Sequence, residues 1–249
     1  MKKNCTFLLA SAVLAFSSNI VSAQHKMEFK HHPNPTNKIY FSTGFDSYLL
    51  STASMEKAGQ DAKLTTPRFT AFFNFGINAN FDFNKRIGLF WGLNIKNIGF
   101  IEQYDKLDST VIRRSYTFGI PLGLKIGNIR YGNYVLVGGG VDFPFNYREK
   151  GFVNRNDKTK FNEWFSSRTP AVSPYVFLGA HLRPGFVFKL QYYPANFLNP
   201  DFTTTVNGLD VQPYKGYKVN LLLLTFGFDF PYRPKEMMEE MKAEKNKHK

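Results

Sequence analysis

From Phe69 to Phe83 every odd position is apolar: Phe69, Ala71, Phe73, Phe75, Ile77, Ala79, Phe81 and Phe83. The positions between them are Thr70, Phe72, Asn74, Gly76, Asn78, Asn80 and Asp82. Side chains alternate across a strand with period two, so this run predicts a strand with two chemically distinct faces and no helix period explains it. Seven further segments behave the same way: 39–50, 87–100, 115–126, 134–145, 173–182, 186–193 and 219–230. In 87–100 the apolar face is Ile87, Leu89, Trp91, Leu93 and Ile95, and in 219–230 it is Leu222, Leu224, Phe226, Phe228 and Phe230. Segment 173–182 leaves its apolar face open, because Tyr175 and Phe177 compete with Val176 and Leu178.

The connections order these strands. Long ones (51–68, 101–114, 146–172, 194–218) alternate with short ones (84–86, 127–133, 183–185) without exception. That spacing predicts an all-β fold, an eight-stranded antiparallel up-and-down barrel with short turns at one end and long loops at the other. Pro121 has no backbone donor and a closed barrel has no edge to hide it, so a bulge is expected there. No internal repeat or second domain is visible.

Charge placement distinguishes a membrane barrel from a soluble, lipocalin-like one. The eight segments hold seven charged residues: Asp46, Asp82, Lys96, Lys125, Asp142, Lys189 and Asp229. All seven fall on the face opposite the apolar one. A transmembrane barrel turns its apolar face to lipid and its polar face to the lumen, whereas a charge-free, Phe-rich exterior on a soluble barrel would invite aggregation. The expectation is a transmembrane barrel with short periplasmic turns and long extracellular loops. Eight strands leave an interior that side chains can just fill. The seven charges therefore read as a paired, structural lumenal network, with a proton or ion path as the alternative. The polar face is rich in Gly, Ser, Asn and Thr and offers few large side chains.

Composition and the ends of the chain set the compartment. Lys2 and Lys3, the apolar stretch Phe7–Phe16 and the small residues Val21-Ser22-Ala23 form a signal peptide over 1–23, cleaved before Gln24, rather than a membrane helix. The Cys at position 5 precedes the apolar stretch, which is not where a lipoprotein carries it, and it is the only cysteine in the 249 residues. The exported chain would thus have neither disulfides nor thiol chemistry. Beyond the leader the longest stretch free of Asp, Glu, Lys and Arg is Thr169–Leu182, 14 residues, too short for a transmembrane helix of about 20. The domain plan is then a signal peptide (1–23), a periplasmic N-terminal segment (24–38), an outer-membrane barrel (39–230) and a charged periplasmic tail (231–249). The aromatic content of 17% argues against a disordered chain.

The strand Tyr116-Thr-Phe-Gly-Ile-Pro-Leu-Gly-Leu-Lys125 resembles the Ile-Pro-Leu strand of the PorT-like outer-membrane β-barrel family of Gram-negative bacteria. Val135-Leu-Val-Gly-Gly-Gly-Val141 is similar to the glycine-rich strand that follows it there, and Leu221–Phe230 looks like the closing strand read by the barrel-assembly machinery. The resemblance spans roughly 39–230. It implies a barrel with periplasmic termini, and some members of the family take part in protein secretion across the outer membrane. The chain departs from the simplest pattern in that a tail follows Phe230.

Net charge is +13, and much of the excess over the leader falls on the short-turn side. The connection 146–172 carries Arg148, Lys150, Arg155, Lys158, Lys160 and Arg168 against Glu149, Asp157 and Glu163. Those cations are candidates for binding lipopolysaccharide or an acidic partner, and the plain alternative is a solvated loop beside an anionic leaflet. Nucleic acid is not an expected partner, since basic balance does not specify it. His25, His31 and His32 suggest no fixed ligand geometry, His181 reads as lumenal and structural, and no metal or cofactor is expected. No nucleophile has a base and an orienting group at a defensible spacing. The expectation is a non-enzymatic outer-membrane protein acting in envelope integrity, surface binding or as an accessory to secretion. Its partners would be outer-membrane lipid, lipopolysaccharide, the assembly machinery and a periplasmic or secretion-system protein. The alternatives are a lipid-modifying enzyme, or a small channel if there are ten or more strands.

Overall fold

The computed structural model describes residues 39–58, 60–71, 73–104, 109–153 and 157–232. The leader, the segment 24–38 with its three histidines, Arg155 and the tail from 233 onward lie outside the described residues. The described residues hold fourteen strands where eight segments were expected. They are β1 (Ile39–Thr43), β2 (Phe45–Glu56), β3 (Lys63–Leu64), β4 (Arg68–Ala71), β5 (Phe75–Asp82), β6 (Ile87–Tyr104) and β7 (Ser109–Asn128). After them come β8 (Asn133–Val153), β9 (Asp157–Trp164), β10 (Ser173–Leu182), β11 (Phe186–Tyr192), β12 (Thr204–Val206), β13 (Leu209–Val211) and β14 (Lys218–Phe228). Every pairing is antiparallel, and there is no α-helix among the described residues.

One sheet runs in the order β1-β5-β6-β7-β8-β10-β11-β14-β2-β3, with β4 beside β2 and β9 beside β8, and β12-β13 form a separate hairpin. At the ends of this order, β2 has β14 on one side and β3 and β4 on the other. β1 has β5 on one side. On its other side it meets the chain's closing stretch, where Thr43 N–H donates to Phe230 O (2.9 Å) and Tyr232 N–H donates to Phe41 O (2.8 Å).

The turns follow local chemistry. Asn84 Oδ1 accepts from the N–H groups of Arg86 (2.7 Å) and Ile87 (2.9 Å), an Asx turn that reverses the chain from β5 into β6. Between β7 and β8 the 3-10 turn Ile129–Tyr131 ends on Gly132 at φ 75°, a left-handed conformation that glycine adopts without steric cost.

Several elements differ from the sequence expectations, each for a physical reason. β6, β7 and β8 run well past the predicted ends at 100, 115 and 145, and β9 occupies part of the expected loop 146–172. These extensions no longer alternate cleanly, because past the apolar zone their outer face carries polar and charged side chains. No bulge lies at Pro121, which pairs in register with Gly140. Instead the β6–β7 ladder lapses between Trp91↔Leu122 and Asn94↔Gly119 without changing register, so the missing donor falls in a gap of the ladder. A bulge does occur where Tyr116↔Asn146 is followed by Thr117↔Pro144. Another lies where Phe226↔Tyr48 is followed by Phe228↔Phe45, which puts one extra residue in β2. That residue flips the phase of β2, so Phe41 and Phe45 are outward at odd numbers and Leu50 is outward at an even one. Gly227 sits opposite, where a Cβ would collide with the Phe45 carbonyl.

The inner face is also bulkier than the sequence suggests. In β10, Val176 is 56% exposed and Phe177 only 5%, which settles the face left open. Phe90, Phe177, Tyr175, Leu136 and Val187 fill the interior, together with Leu49, Phe100, Leu221 and Leu223. Glycines make the room. A Cβ on Gly123 would stand 2.7 Å from Phe90 Cε1 and 2.8 Å from Phe177 Cζ, and one on Gly138 would stand 2.7 Å from Phe177 Cζ.

Candidate functional site

The outer and inner faces have opposite chemistry. Ile77, Trp91, Leu122, Val137, Leu178, Leu190 and Leu224 are all exposed on the outside. Aromatics cluster at both edges of this zone: Phe83, Tyr131, Phe230 and Tyr232 toward the short turns, and Phe69, Phe73, Phe143 and Trp164 toward the long loops. An apolar band between aromatic girdles is the surface a transmembrane barrel presents. Beyond the band, the short turns expose Lys85, Arg86, Arg130 and Arg183.

The interior holds the seven charges of the strands. Lys125, at the short-turn end, pairs with Asp82 and donates to Asn80 Oδ1 (3.0 Å) and Tyr40 Oη (3.1 Å). Lys189 pairs with Asp46 at 2.7 Å. Lys96 pairs with Asp142 at 2.8 Å, donates to Tyr193 Oη (2.9 Å) and lies 3.8 Å from the ring centre of Tyr175. Tyr193 in turn donates to Asp142 Oδ2 (2.6 Å), which closes a triangle. Three lysines thus meet three aspartates, and each pair joins different strands of the sheet. The fourth acid, Asp229, forms no ion pair among the described residues, and its Oδ1 is buried without a hydrogen-bond partner. His181 stacks on Tyr134 (4.4 Å between ring centres, 9° between planes) and its Nδ1 lies 2.7 Å from Gly132 O. The cavity lined by Asp46, Lys125, Tyr134, Lys189 and Asp229 measures about 10 Å³, room for roughly one water.

Toward the long loops the interior is closed by chain. The stretch after β11 folds inward, burying Phe197 and Leu198, and Phe197 stacks edge-on against Phe100 at 5.7 Å. Above this plug, Glu102 is held by Arg113 and by Lys57 (2.7 Å), and Arg113 Nε reaches Glu149 at 3.2 Å. Burial pushes the Glu102 carboxyl up, but the Arg113 guanidinium and the Lys57 ammonium together outweigh it and hold the group below its ordinary range. Sequence reasoning missed this cluster. The adjacent pair Arg113-Arg114 was a signal, since alternation must send one inward and one outward, but naming Glu102 needs the register in which Phe100 faces Arg113.

The cations of 146–172 divide. Arg148, Lys150, Lys158 and Lys160 share the outer face of the β8–β9 hairpin. Arg114 joins them from β7, where it sits directly opposite Arg148, while Lys150 sits opposite Lys160. Like charges directly opposed across strands are destabilising. Arg114 first, then partial burial, Lys158, Lys160 and Arg148, pull the Lys150 ammonium below its ordinary value. Arg168 is elsewhere. It folds back onto Phe202 (4.4 Å) and Phe161 (4.6 Å), with Glu163 at 3.3 Å, and donates to Tyr214 Oη at 3.2 Å, as part of the closed mouth.

No protein-family model and no curated protein matches the chain. Solved structures similar to it include Ail, the attachment invasion locus protein of Yersinia pestis, in complex with the heparin analogue sucrose octasulfate. Ail is 14% identical, with 77% of this chain and 97% of that one covered and a TM-score of 0.33. CarO of Acinetobacter baumannii is 12% identical over 74% of this chain and 97% of its own, with a TM-score of 0.33. The outer membrane protein AlkL, solved in lipid bilayers, is 12% identical over 84% and 97%, with a TM-score of 0.37. At scores below 0.5 these likenesses carry no argument about this chain.

Proposed function

We propose that the chain is a non-enzymatic integral outer-membrane β-barrel protein with a filled interior, presenting a basic face to the anionic headgroup layer at its outer rim. The observation that carries this reading is the inversion of faces: an exposed apolar band edged by aromatics, around an interior of ion pairs. Lipid supplies no hydrogen bonds, so a spanning sheet must close on itself. Taking β1 with β2 as one stave and β4 with β5 as another leaves eight staves, each with a neighbour on both sides. That supports the eight-stranded closed barrel. The extra segments β3 and β9 lengthen its outer hairpins. Five outward cations on β7–β9, four of them opposed in the pairs Arg114–Arg148 and Lys150–Lys160, make sense beside lipopolysaccharide or other anionic lipid.

The filled interior counts against a pore. Export through the leader, assembly by the barrel-assembly machinery and accessory service to a secretion system belong to the same proposal. The secretion role leans on the resemblance of 116–125 and 135–141 to PorT-like strands, which here pair side by side, Gly123 against Gly138. Extraction only by detergent and heat-modifiable migration on gels are the expected results. Recovery in a soluble periplasmic fraction overturns the reading, and conductance in planar bilayers overturns the filled lumen.

A further inference from the structure

The wall of the sheet has an opening. The β5–β6 ladder ends at Phe75↔Ile95, and the next backbone pairing on that side is the isolated bridge Thr66↔Ile101. Between them β4 pairs only with β2 and forms no ladder with β6. A cavity of about 310 Å³ occupies this seam, at the small end of ligand-binding pockets. Its polar lining is Arg68, Thr70, Asn97, Arg114 and Lys150. Arg68 is buried and donates to Asn97 O (3.3 Å) and Oδ1 (2.5 Å). No carboxylate among the described residues pairs with Arg68, Arg114 or Lys150. Two buried polar atoms of the lining, Thr70 Oγ1 and Arg114 Nε, have no hydrogen-bond partner, and both can donate. Buried donors without acceptors cost free energy, and donors beside three unpaired cations call for an anion. The rest of the lining is apolar, with Phe69 and Phe73 exposed on the outer surface at the upper edge of the band.

We propose that this seam binds a phosphorylated lipid of the outer leaflet, its phosphate held by Arg68, Arg114 and Lys150 and its chains lying against Phe69 and Phe73. Arginine and lysine around a phosphate form charge-assisted hydrogen bonds, the strong kind. The volume suits a headgroup and not a whole lipid, so the chains stay in the bilayer. The proposal rests on the membrane reading above, and its test keeps the two apart.

The full chain, purified in detergent, is offered phosphatidic acid and phosphatidylcholine in competition, and retained lipid is read by native mass spectrometry. Phosphatidic acid should be retained in preference by about tenfold or more. Arg114→Gln with Lys150→Gln should abolish the preference, while Lys85→Gln with Arg86→Gln, exposed on a short turn at the other end of the sheet, should keep it. Excess inorganic phosphate should fail to displace the lipid. Equal retention of both lipids, equal loss in both double variants, or displacement by inorganic phosphate overturns the seam as a lipid site; the last outcome assigns it to free phosphate. A chain that needs no detergent to stay in solution overturns the membrane reading instead.

Discussion

A single arginine placed on the outside of β7 separates a membrane wall from a soluble one. Leu122 is 53% exposed and Ile126 is 49% exposed, on the same face of the same strand. In water the two sites are equivalent, and an exposed substitution at either should change stability by no more than about 0.5 kcal/mol. In a bilayer they differ in depth. Outward apolar positions on β7 run from Phe118 to Ile126, which at about 3.3 Å per residue and a tilt of about 40° makes roughly 20 Å along the membrane normal. Leu122 stands at the middle of that span and Ile126 at its edge, about 10 Å apart in depth by the same geometry. Leu122→Arg should therefore cost about 2–4 kcal/mol and Ile126→Arg about 0–1. Reversible guanidinium unfolding from lipid vesicles, followed by tryptophan fluorescence, measures both. Equal costs at the two sites, or a cost at Leu122 below about 0.5 kcal/mol, would refute a lipid-facing exterior.

Other expectations concern the interior and the mouth. Lys96 is 1% exposed and Asp142 0%, so Lys96→Met or Asp142→Asn alone strands a buried charge and should cost about 3–5 kcal/mol; the double variant should recover most of it in a double-mutant cycle, and additive losses would mean the two do not act as a pair. Gly138→Val should lower the unfolding free energy by about 1–3 kcal/mol through overpacking against Phe177 and the facing strand, and an unchanged midpoint would sink the account of how the interior rings are seated. Because the Glu102 carboxyl is held below its ordinary value of 4.5, its stabilising effect is fully present above that value and is lost as pH falls through the lower folded one. The stability gap between the parent and Glu102→Gln should thus be constant near neutral pH and shrink below about pH 4.5; a gap unchanged under acid would count against the ion pair.

What the sequence made legible follows the outer face. On the membrane reading proposed above, lipid tolerates no charge there, which accounts for every second residue from Phe69 to Phe83 being apolar or small and for the plain period of two. The interior obeys no such rule. It is satisfied by ion pairs at Lys96 and Lys125, by rings at Phe90 and Phe177, and by glycines that make room for the rings. Both faces of β10 are therefore apolar, and its orientation could not be read from alternation. Beyond the band the outer face is polar as well, which is why the extensions of β7 and β8 and the whole of β9 passed for loop. The bulge in β2 is hidden for another reason: it depends on where Tyr48 meets Phe226, a relation between segments far apart in the chain. The seam shows the same limit most sharply. Arg68 lay in a predicted long loop and Arg114 at the edge of another, and only the lapse of pairing between β4 and β6 brings them to one cavity. Charges spent on ion pairs inside the strands were visible as an alternation. Those left unspent, where a ligand can use them, appeared only once the strands were paired.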